Sequence, residues 1–163
     1  MWWKSSLLLL CVLLLQACTI IVPKEEVYPF SEAEKIEIVS YPDRMTWDDH
    51  LDSTIIVSGE LRFSKSLIKE RVILNDTIAE KLFRYLFIEE CPLIDLTRTL
   101  CYQPRHAILF YNNEGKIYSY LEVCLECGKA EGDFLYNEIC DERTANLENI
   151  FKQAGIKYFG EEE

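Results

Sequence analysis

Residues 105–125 read RHAILFYNNEGKIYSYLEVCL, and this stretch decides the fold. Its two halves, 105–111 and 116–125, are rich in Ile, Leu, Phe, Tyr and Val, which favour β-strands. Between them, 112–115 reads Asn-Asn-Glu-Gly, which is typical of a tight turn because Asn and Gly accept positive backbone angles. The sequence therefore predicts a β-hairpin, and we expect its strands to form part of the core.

Three segments before the hairpin also have the pattern of strands. Residues 35–41 alternate between polar and apolar side chains and stop at a Pro-Asp turn signal. Residues 54–63 and 68–74 alternate or are rich in β-branched side chains. After the hairpin, we expect the glycine-containing segment 128–133 to be a loop. These patterns predict about five mostly antiparallel strands in a single sheet.

Two segments predict helices. In the first, Thr77 and Glu80 fit a capping box, and an apolar stripe follows until Pro92 ends the helix. In the second, Asp141 is the expected N-cap and Gly155 the stop signal. One sheet and two helices predict an α+β domain with both helices packed on one face of the sheet.

Composition and charge limit the class of protein. The 163 residues are 49% hydrophobic and 12% aromatic, which is too apolar for a disordered chain and suits one folded domain. The formal net charge is −11. That sign argues against nucleic acid as a partner, because phosphate binding requires clustered Lys and Arg.

The N-terminus carries the pattern of an export signal. Lys4 precedes an uninterrupted apolar run at 7–15, which is short of the roughly 20 residues that a membrane-spanning helix needs. The run ends in LQAC at 15–18, which resembles the bacterial lipobox, where cleavage leaves the cysteine as the first mature residue. An uncleaved signal anchor is the alternative interpretation.

The resemblance to the lipobox implies diacylglycerol on the thiol of Cys18, and hence a membrane partner through that lipid. We therefore expect a signal peptide at 1–17, a lipidated tether at 18–34 and a single domain at 35–160. The residue after Cys18 is Thr19 rather than Asp, which in the enterobacterial sorting rule indicates the outer membrane of the cell envelope.

Five cysteines would remain for the folded domain: Cys91, Cys101, Cys124, Cys127 and Cys140. An odd number leaves at least one without a disulfide partner in the chain, and the oxidising envelope favours disulfides for the others. Antiparallel pairing of the hairpin strands would bring Cys101 near Cys124 and Cys127. We expect these three and Cys140 to form one cluster, with Cys91 as the odd thiol.

Zinc is an alternative to disulfides in this cluster. Cys124-x-x-Cys127-Gly128 resembles the metal-binding knuckle of zinc ribbons and rubredoxins, and Cys101, Cys140 or His106 could supply further ligands. A redox dithiol is less favoured, because such pairs begin a helix and residues 128–133 have no helical pattern. Disulfides, a zinc site and free buried thiols all stay open from the sequence.

Two further segments, CYQPRHAI at 101–108 and YLEVCLEC at 120–127, resemble a pattern found in small uncharacterised bacterial proteins, many of them envelope lipoproteins. The resemblance implies that Cys101, Arg105, Cys124, Cys127 and Cys140 belong together. It carries no activity with it.

Common catalytic motifs are missing from the sequence, including G-x-S-x-G, H-E-x-x-H and a glycine-rich phosphate loop. The leading hypothesis is therefore a non-catalytic accessory or binding domain tethered in the envelope, with a ligand that the sequence does not reveal. The alternative is a metal-binding or thiol-redox protein that uses Cys101, Cys124, Cys127 and Cys140. The acidic side chains of Glu122 and Glu126 are expected on the solvated face of their strand.

Overall fold

The computed structural model describes residues 22–44, 47, 54–89, 102–134, 136–138 and 141–160. The expected signal peptide and four of the cysteines, Cys18, Cys91, Cys101 and Cys140, lie outside these ranges. The predictions about them stay predictions.

One antiparallel sheet and two helices make up the described part of the chain. The elements in chain order are β1 (Lys35–Ser40), β2 (Ile56–Val57), β3 (Glu60–Leu61), β4 (Glu70–Ile73), α1 (Asp76–Phe87), β5 (His106–Tyr111), β6 (Ile117–Cys124), β7 (Lys129–Gly132), β8 (Tyr136–Glu138) and α2 (Asp141–Ala154). Six strands form the sheet in the order β4-β1-β5-β6-β7-β8, and β2 pairs only with β3. The predicted α+β class and the antiparallel sheet are confirmed.

The predicted hairpin is β5 and β6, which lie in the middle of the sheet. Its turn is held by the side-chain oxygen of Asn112, which accepts hydrogen bonds of 3.0 Å from the backbone N–H groups of Glu114 and Lys116. Gly115 adopts φ of 75°, a conformation that costs glycine little because it has no Cβ. The local turn chemistry thus fixed the centre of the fold.

Alternation along the strands divides the apolar residues into two cores, one on each face of the sheet. The larger core contains Ile38, Ile108, Phe110, Leu121 and Val123 from the strands together with apolar residues of both helices, among them Leu82, Phe83, Leu147 and Phe151. The smaller core contains Val39, Tyr41, Ala107 and Leu109, and it is covered by Trp47, Ile55 and Phe63 from the chain between β1 and β4. Both faces of the central strands are therefore buried.

The first helix begins earlier than its predicted capping box. Asn75 is the N-cap, and its side-chain oxygen accepts a 3.0 Å hydrogen bond from the N–H of Ile78. The capping box of Thr77 and Glu80 is wrong, because the helix begins at Asp76 and Thr77 already lies within it. The helix also ends at Phe87, before the predicted stop at Pro92.

The second helix begins at Asp141, the residue predicted as its cap. It ends as predicted at Gly155, which has φ of 114°. The N–H of Gly155 bonds to the carbonyl of Lys152, and the N–H of Ile156 bonds to that of Phe151. This is a Schellman ending, and its apolar pair, Phe151 and Ile156, is buried in the larger core.

Two strand predictions need correction. Residues 54–63 form the small hairpin of β2 and β3 rather than one strand, because Ser58 and Gly59 both take positive φ and reverse the chain. Residues 129–132, predicted as loop, form β7 against β6. Gly132 is needed there, since a Cβ on it would lie 2.2 Å from the carbonyl oxygen of Tyr120.

The predicted boundary between the tether, 18–34, and the domain is also placed too late in the chain. The side chain of Phe30 is buried in the larger core, where its ring lies 5.4 Å from Phe83 and 5.1 Å from Phe110 between centroids. The N–H of Glu34 bonds to the carbonyl of Tyr111 at the end of β5. The chain is therefore attached to the domain before residue 35, because burying an aromatic ring outweighs the polar composition around it.

Candidate functional site at the cysteine end of the hairpin

The end of the sheet where β5 begins and β6 stops is the cysteine end, and the opposite end, at 112–115, is the turn end. Cys124 and Cys127 form a disulfide at the cysteine end, with their Cα atoms 5.2 Å apart. Gly128 follows with φ of 60° and lets the chain reverse into β7. The backbone turn predicted for this pair is therefore present, and of the open alternatives the pair adopts the disulfide.

The disulfide is buried. Cys124 is 1% exposed and Cys127 is 7% exposed. The sulfur of Cys124 accepts a hydrogen bond from the N–H of Cys127 at 3.2 Å, and the sulfur of Cys127 accepts one from Gln103 at 3.4 Å. In this state neither sulfur is the thiolate that a zinc ion requires.

The predicted cluster of four cysteines cannot be assembled from the described residues, because Cys101 and Cys140 lie outside them. No group of three or more His, Cys, Asp or Glu side chains is placed to hold a metal ion in the described ranges. The contact between Gln103 and Cys127 does join the segment before β5 to the disulfide turn. The four-cysteine cluster stays a prediction.

His106 is not in position to act with the disulfide as a ligand. It pairs with Val123 across the hairpin, so the two side chains share one face, and Cys124, the next residue, belongs to the other face. The imidazole is buried, and its Nε2 lies 2.9 Å from the carbonyl oxygen of Tyr158. Its ring packs against Phe151 and Phe159, with centroids 5.3 Å and 5.1 Å away. His106 therefore anchors the C-terminal segment 156–160.

Glu70 holds the same C-terminal segment from β4. Its Oε2 accepts hydrogen bonds of 2.9 Å from the N–H groups of Lys157 and Tyr158 and one of 3.3 Å from the hydroxyl of Ser40. Burial raises the pKa of Glu70, but these three hydrogen bonds outweigh it and hold the pKa below its ordinary value. Glu70, Ser40 and His106 form one row across β4, β1 and β5.

Glu122 is the least expected residue of the site. It is buried on the face of the smaller core, not solvated as predicted. One carboxylate oxygen accepts a 2.7 Å hydrogen bond from the hydroxyl of Tyr41, and the other lies 2.7 Å from the guanidinium of Arg44. Burial raises the pKa of Glu122 to about 7, while the charge of Arg44 and the hydrogen bond of Tyr41 lower it.

A second carboxylate on the same face has the same kind of partners. Glu37 accepts hydrogen bonds from Arg71, at 2.7 Å and 3.2 Å, and from the hydroxyl of Tyr111, at 2.6 Å. Burial raises the pKa of Glu37, but the Arg71 and Tyr111 hydrogen bonds outweigh it and lower the pKa overall. Sequence reasoning missed both groups, since an acidic residue alternating along a strand reads as solvent-facing until the covering layer is known.

The fold and this site define a class: an α+β protein whose central hairpin ends in a buried disulfide turn and whose buried carboxylates are each matched by an arginine and a tyrosine. Comparison with protein families, with curated proteins and with solved structures gives no match to the chain.

The burial of His106 predicts that part of the free energy of unfolding is lost at acid pH. Burial lowers the pKa of His106 from 6.5 to about 4. The unfolded chain therefore takes up a proton between pH 6.5 and 4 while the folded chain does not, so this stability is present above pH 6.5 and is lost as the pH falls. At about 1.4 kcal/mol per pH unit, the loss approaches about 3 kcal/mol by pH 4.

The measurement is urea unfolding of the wild type and of His106→Gln at several pH values. We expect the variant to be less stable at pH 7 and the difference to close toward pH 4, because only the wild type carries the buried neutral imidazole. The difference, rather than the wild-type curve, is the readout, since Glu122 titrates with the opposite sign over an overlapping pH range. A constant difference would contradict the role given to His106.

Proposed function

We propose that this chain is a lipid-anchored protein of the bacterial cell envelope, held in the outer membrane by lipid on Cys18. The observation that carries the proposal is the sequence LQAC at 15–18 at the end of a short apolar run. Two or three acyl chains on one cysteine hold a protein firmly, whereas one binds only marginally. Within the described ranges, no helix is both long and apolar enough to cross a membrane.

For the folded domain we propose a non-catalytic accessory or binding role. The support is that three buried ionisable groups among the described residues are engaged in contacts within the fold: Glu37 with Arg71, Glu122 with Arg44, and His106 with a backbone carbonyl. Contacts of this kind hold segments of the chain in place. His106 and Glu70, for example, both bind backbone atoms of the C-terminal segment 156–160.

Lipidation is tested by Cys18→Ser in the full chain. We expect this variant to lose incorporation of labelled palmitate and to leave the membrane fraction, because the acceptor thiol is gone. Cys11→Ser is the matched control, since Cys11 lies within the apolar run and is expected to be removed with the leader. Should Cys18→Ser stay membrane-bound after an alkaline wash, the uncleaved signal anchor would be the correct interpretation.

A cysteine-centred activity is the second candidate, because Cys124 and Cys127 form a disulfide in the C-x-x-C spacing of redox proteins. We expect that disulfide to resist dithiothreitol in the native protein and to be reduced in urea, since both sulfurs are buried. Removing it with Cys124→Ser should cost about 2 kcal/mol of unfolding free energy, at the low end for disulfides because the loop is short. Rapid native reduction, with catalysis of disulfide exchange in a substrate protein, would instead support the redox alternative.

A further inference from the structure

Two exposed aromatic side chains, Tyr28 and Phe87, lie beside the same ring where the N-terminal segment meets α1, and the exposed Ile88 follows Phe87 in the chain. Tyr28 is 43% exposed, Phe87 is 40% exposed and Ile88 is 37% exposed. The rings of Tyr28 and Phe87 both lie beside Phe134, with centroids 6.5 Å and 6.3 Å from it. We call Tyr28, Phe87 and Ile88 the apolar rim.

The apolar rim lies toward the turn end of the sheet. Phe30 and Phe134, which contact the rim, both contact Phe110 near the end of β5, at 5.1 Å and 5.6 Å between centroids. His106, which binds the C-terminal segment, begins the same strand. Four residue steps along the strand lead from His106 to Phe110, a distance of about 13 Å. The rim and the C-terminal segment are therefore set apart along the sheet.

The chain connects the rim closely to the proposed lipid. Only four residue steps lie between Cys18 and Val22, so these two residues are at most about 14 Å apart. From Val22 the chain passes through a short 3-10 turn, Lys24–Glu26, to Tyr28 and the buried ring of Phe30. The docking of Phe30 thus shortens the tether and fixes which part of the domain lies next to the anchor.

We propose that the apolar rim rests on the bilayer that holds the lipidated Cys18, so that the cysteine end and the C-terminal segment point away from the membrane. This inference rests on the proposed lipid anchor. Tyrosine and other amphipathic or apolar side chains are favoured at the interface between headgroups and acyl chains. The occupant of the rim is thus a lipid surface, brought there by the length of the tether.

The negative charge of the protein limits which lipid headgroups the apolar rim can contact. The side chain of Glu25 is 70% exposed beside Lys24, and the chain as a whole has a formal net charge of −11. Anionic headgroups would repel this surface, since attraction to them requires basic clusters. The rim therefore suits neutral, zwitterionic headgroups such as phosphatidylethanolamine or phosphatidylcholine.

The test adds one tryptophan, as a fluorescent reporter, to the full lipidated chain. Phe87→Trp puts the reporter in the rim, Tyr28→Trp is a second position in case the first does not fold, and Tyr158→Trp is the matched control in the C-terminal segment. Trp2 and Trp3 lie in the leader, and Trp47 is buried, so the background is small and constant. Each protein is reconstituted in phosphatidylcholine vesicles that contain lipids brominated near the headgroup.

We expect quenching of the rim reporter to be several-fold stronger than that of Tyr158→Trp, and weaker when phosphatidylglycerol replaces part of the phosphatidylcholine. Palmitate labelling of the same preparations separates the two proposals. Labelled protein with equal quenching at both positions would overturn the orientation and leave the lipid anchor standing. Unlabelled protein would overturn the anchor and this inference with it. Absence of quenching together with a dimer in detergent would assign the rim to a second copy of the chain.

Discussion

Phe110→Ala should lower the free energy of unfolding by about 3–5 kcal/mol, as large aromatic truncations in a packed core do. The side chain of Phe110 is completely buried, and it contacts Phe30 and Phe134. The substitution therefore leaves a cavity between the N-terminal segment, the central strand and the chain after β7. Urea unfolding of purified protein measures the loss as a lower midpoint.

Two controls separate the cavity from a general effect of mutation. Phe87→Ala removes the same aromatic group from a half-exposed position and should cost clearly less. Phe110→Leu keeps most of the volume and should cost under about 1.5 kcal/mol, in line with volume-conserving substitutions. If all three variants unfolded at the same midpoint, the packing of Phe30 on Phe110 would have no energetic importance.

Arg44→Met should also destabilise the fold once Glu122 is ionised, with a cost that rises above pH 7 toward the about 3–5 kcal/mol that is usual for removing one partner of a buried ion pair. Arg44 is mostly covered and lies 2.7 Å from the carboxylate of Glu122, which is almost completely buried. Without the guanidinium, Glu122 must either stay charged in an apolar setting or bind a proton. Both outcomes destabilise the fold at a pH where the carboxyl is ionised in the unfolded chain.

The loss of stability caused by Arg44→Met should increase as the pH rises. In the wild type, burial raises the pKa of Glu122 from 4.5 to about 7, so stability from this group falls as the pH rises from 4.5 to 7. Loss of the Arg44 charge raises that pKa further, and the fall then continues above pH 7. The destabilisation by Arg44→Met should therefore be small at pH 5 and should grow above pH 7 by about 1.4 kcal/mol per pH unit.

The double variant Arg44→Met with Glu122→Gln is the critical control. It removes the unpaired charge while Tyr41 can still donate its hydrogen bond to the glutamine oxygen. It should be more stable than Arg44→Met alone at pH 8, and its stability should no longer fall as the pH rises above 7. Equal stability of the two variants at pH 8 would show that Glu122 is not coupled to Arg44.

Phe110 also connects the fold to the proposed anchor, through its contact with Phe30. Phe30, packed on Phe110, is the point where the chain leading from Cys18 joins the domain. Loss of that packing would release the N-terminal segment and lengthen the tether. Phe110→Ala should therefore disturb the orientation of the domain as well as its stability, whereas Arg44→Met acts on the opposite face of the sheet.

Local patterns in the sequence determined the central part of the fold. The turn at 112–115 and its flanking apolar segments specified β5 and β6, since turn chemistry and strand propensity act between neighbours in the chain. Gly155 specified the end of α2 for the same reason. The spacing of Cys124 and Cys127 before Gly128 indicated that the chain turns there, which is where the disulfide lies.

Tertiary contacts decided the features that depend on distant segments. The local pattern predicted a cap at Thr77, whereas the helix of the folded chain is capped by Asn75. Residues 129–132 have little strand propensity, but pairing with β6 makes them a strand.

The identity of the buried polar residues was decided in the same way. Glu122 alternates along its strand like a solvated residue, yet Tyr41 and Arg44, about 80 positions earlier, cover and bind it. His106 borders a strand like many surface histidines, and the packing of α2 and of 156–160 against it encloses it. Burial is a property of which segments pack together, so the sequence alone could identify the strands but not which of their polar side chains would lose water.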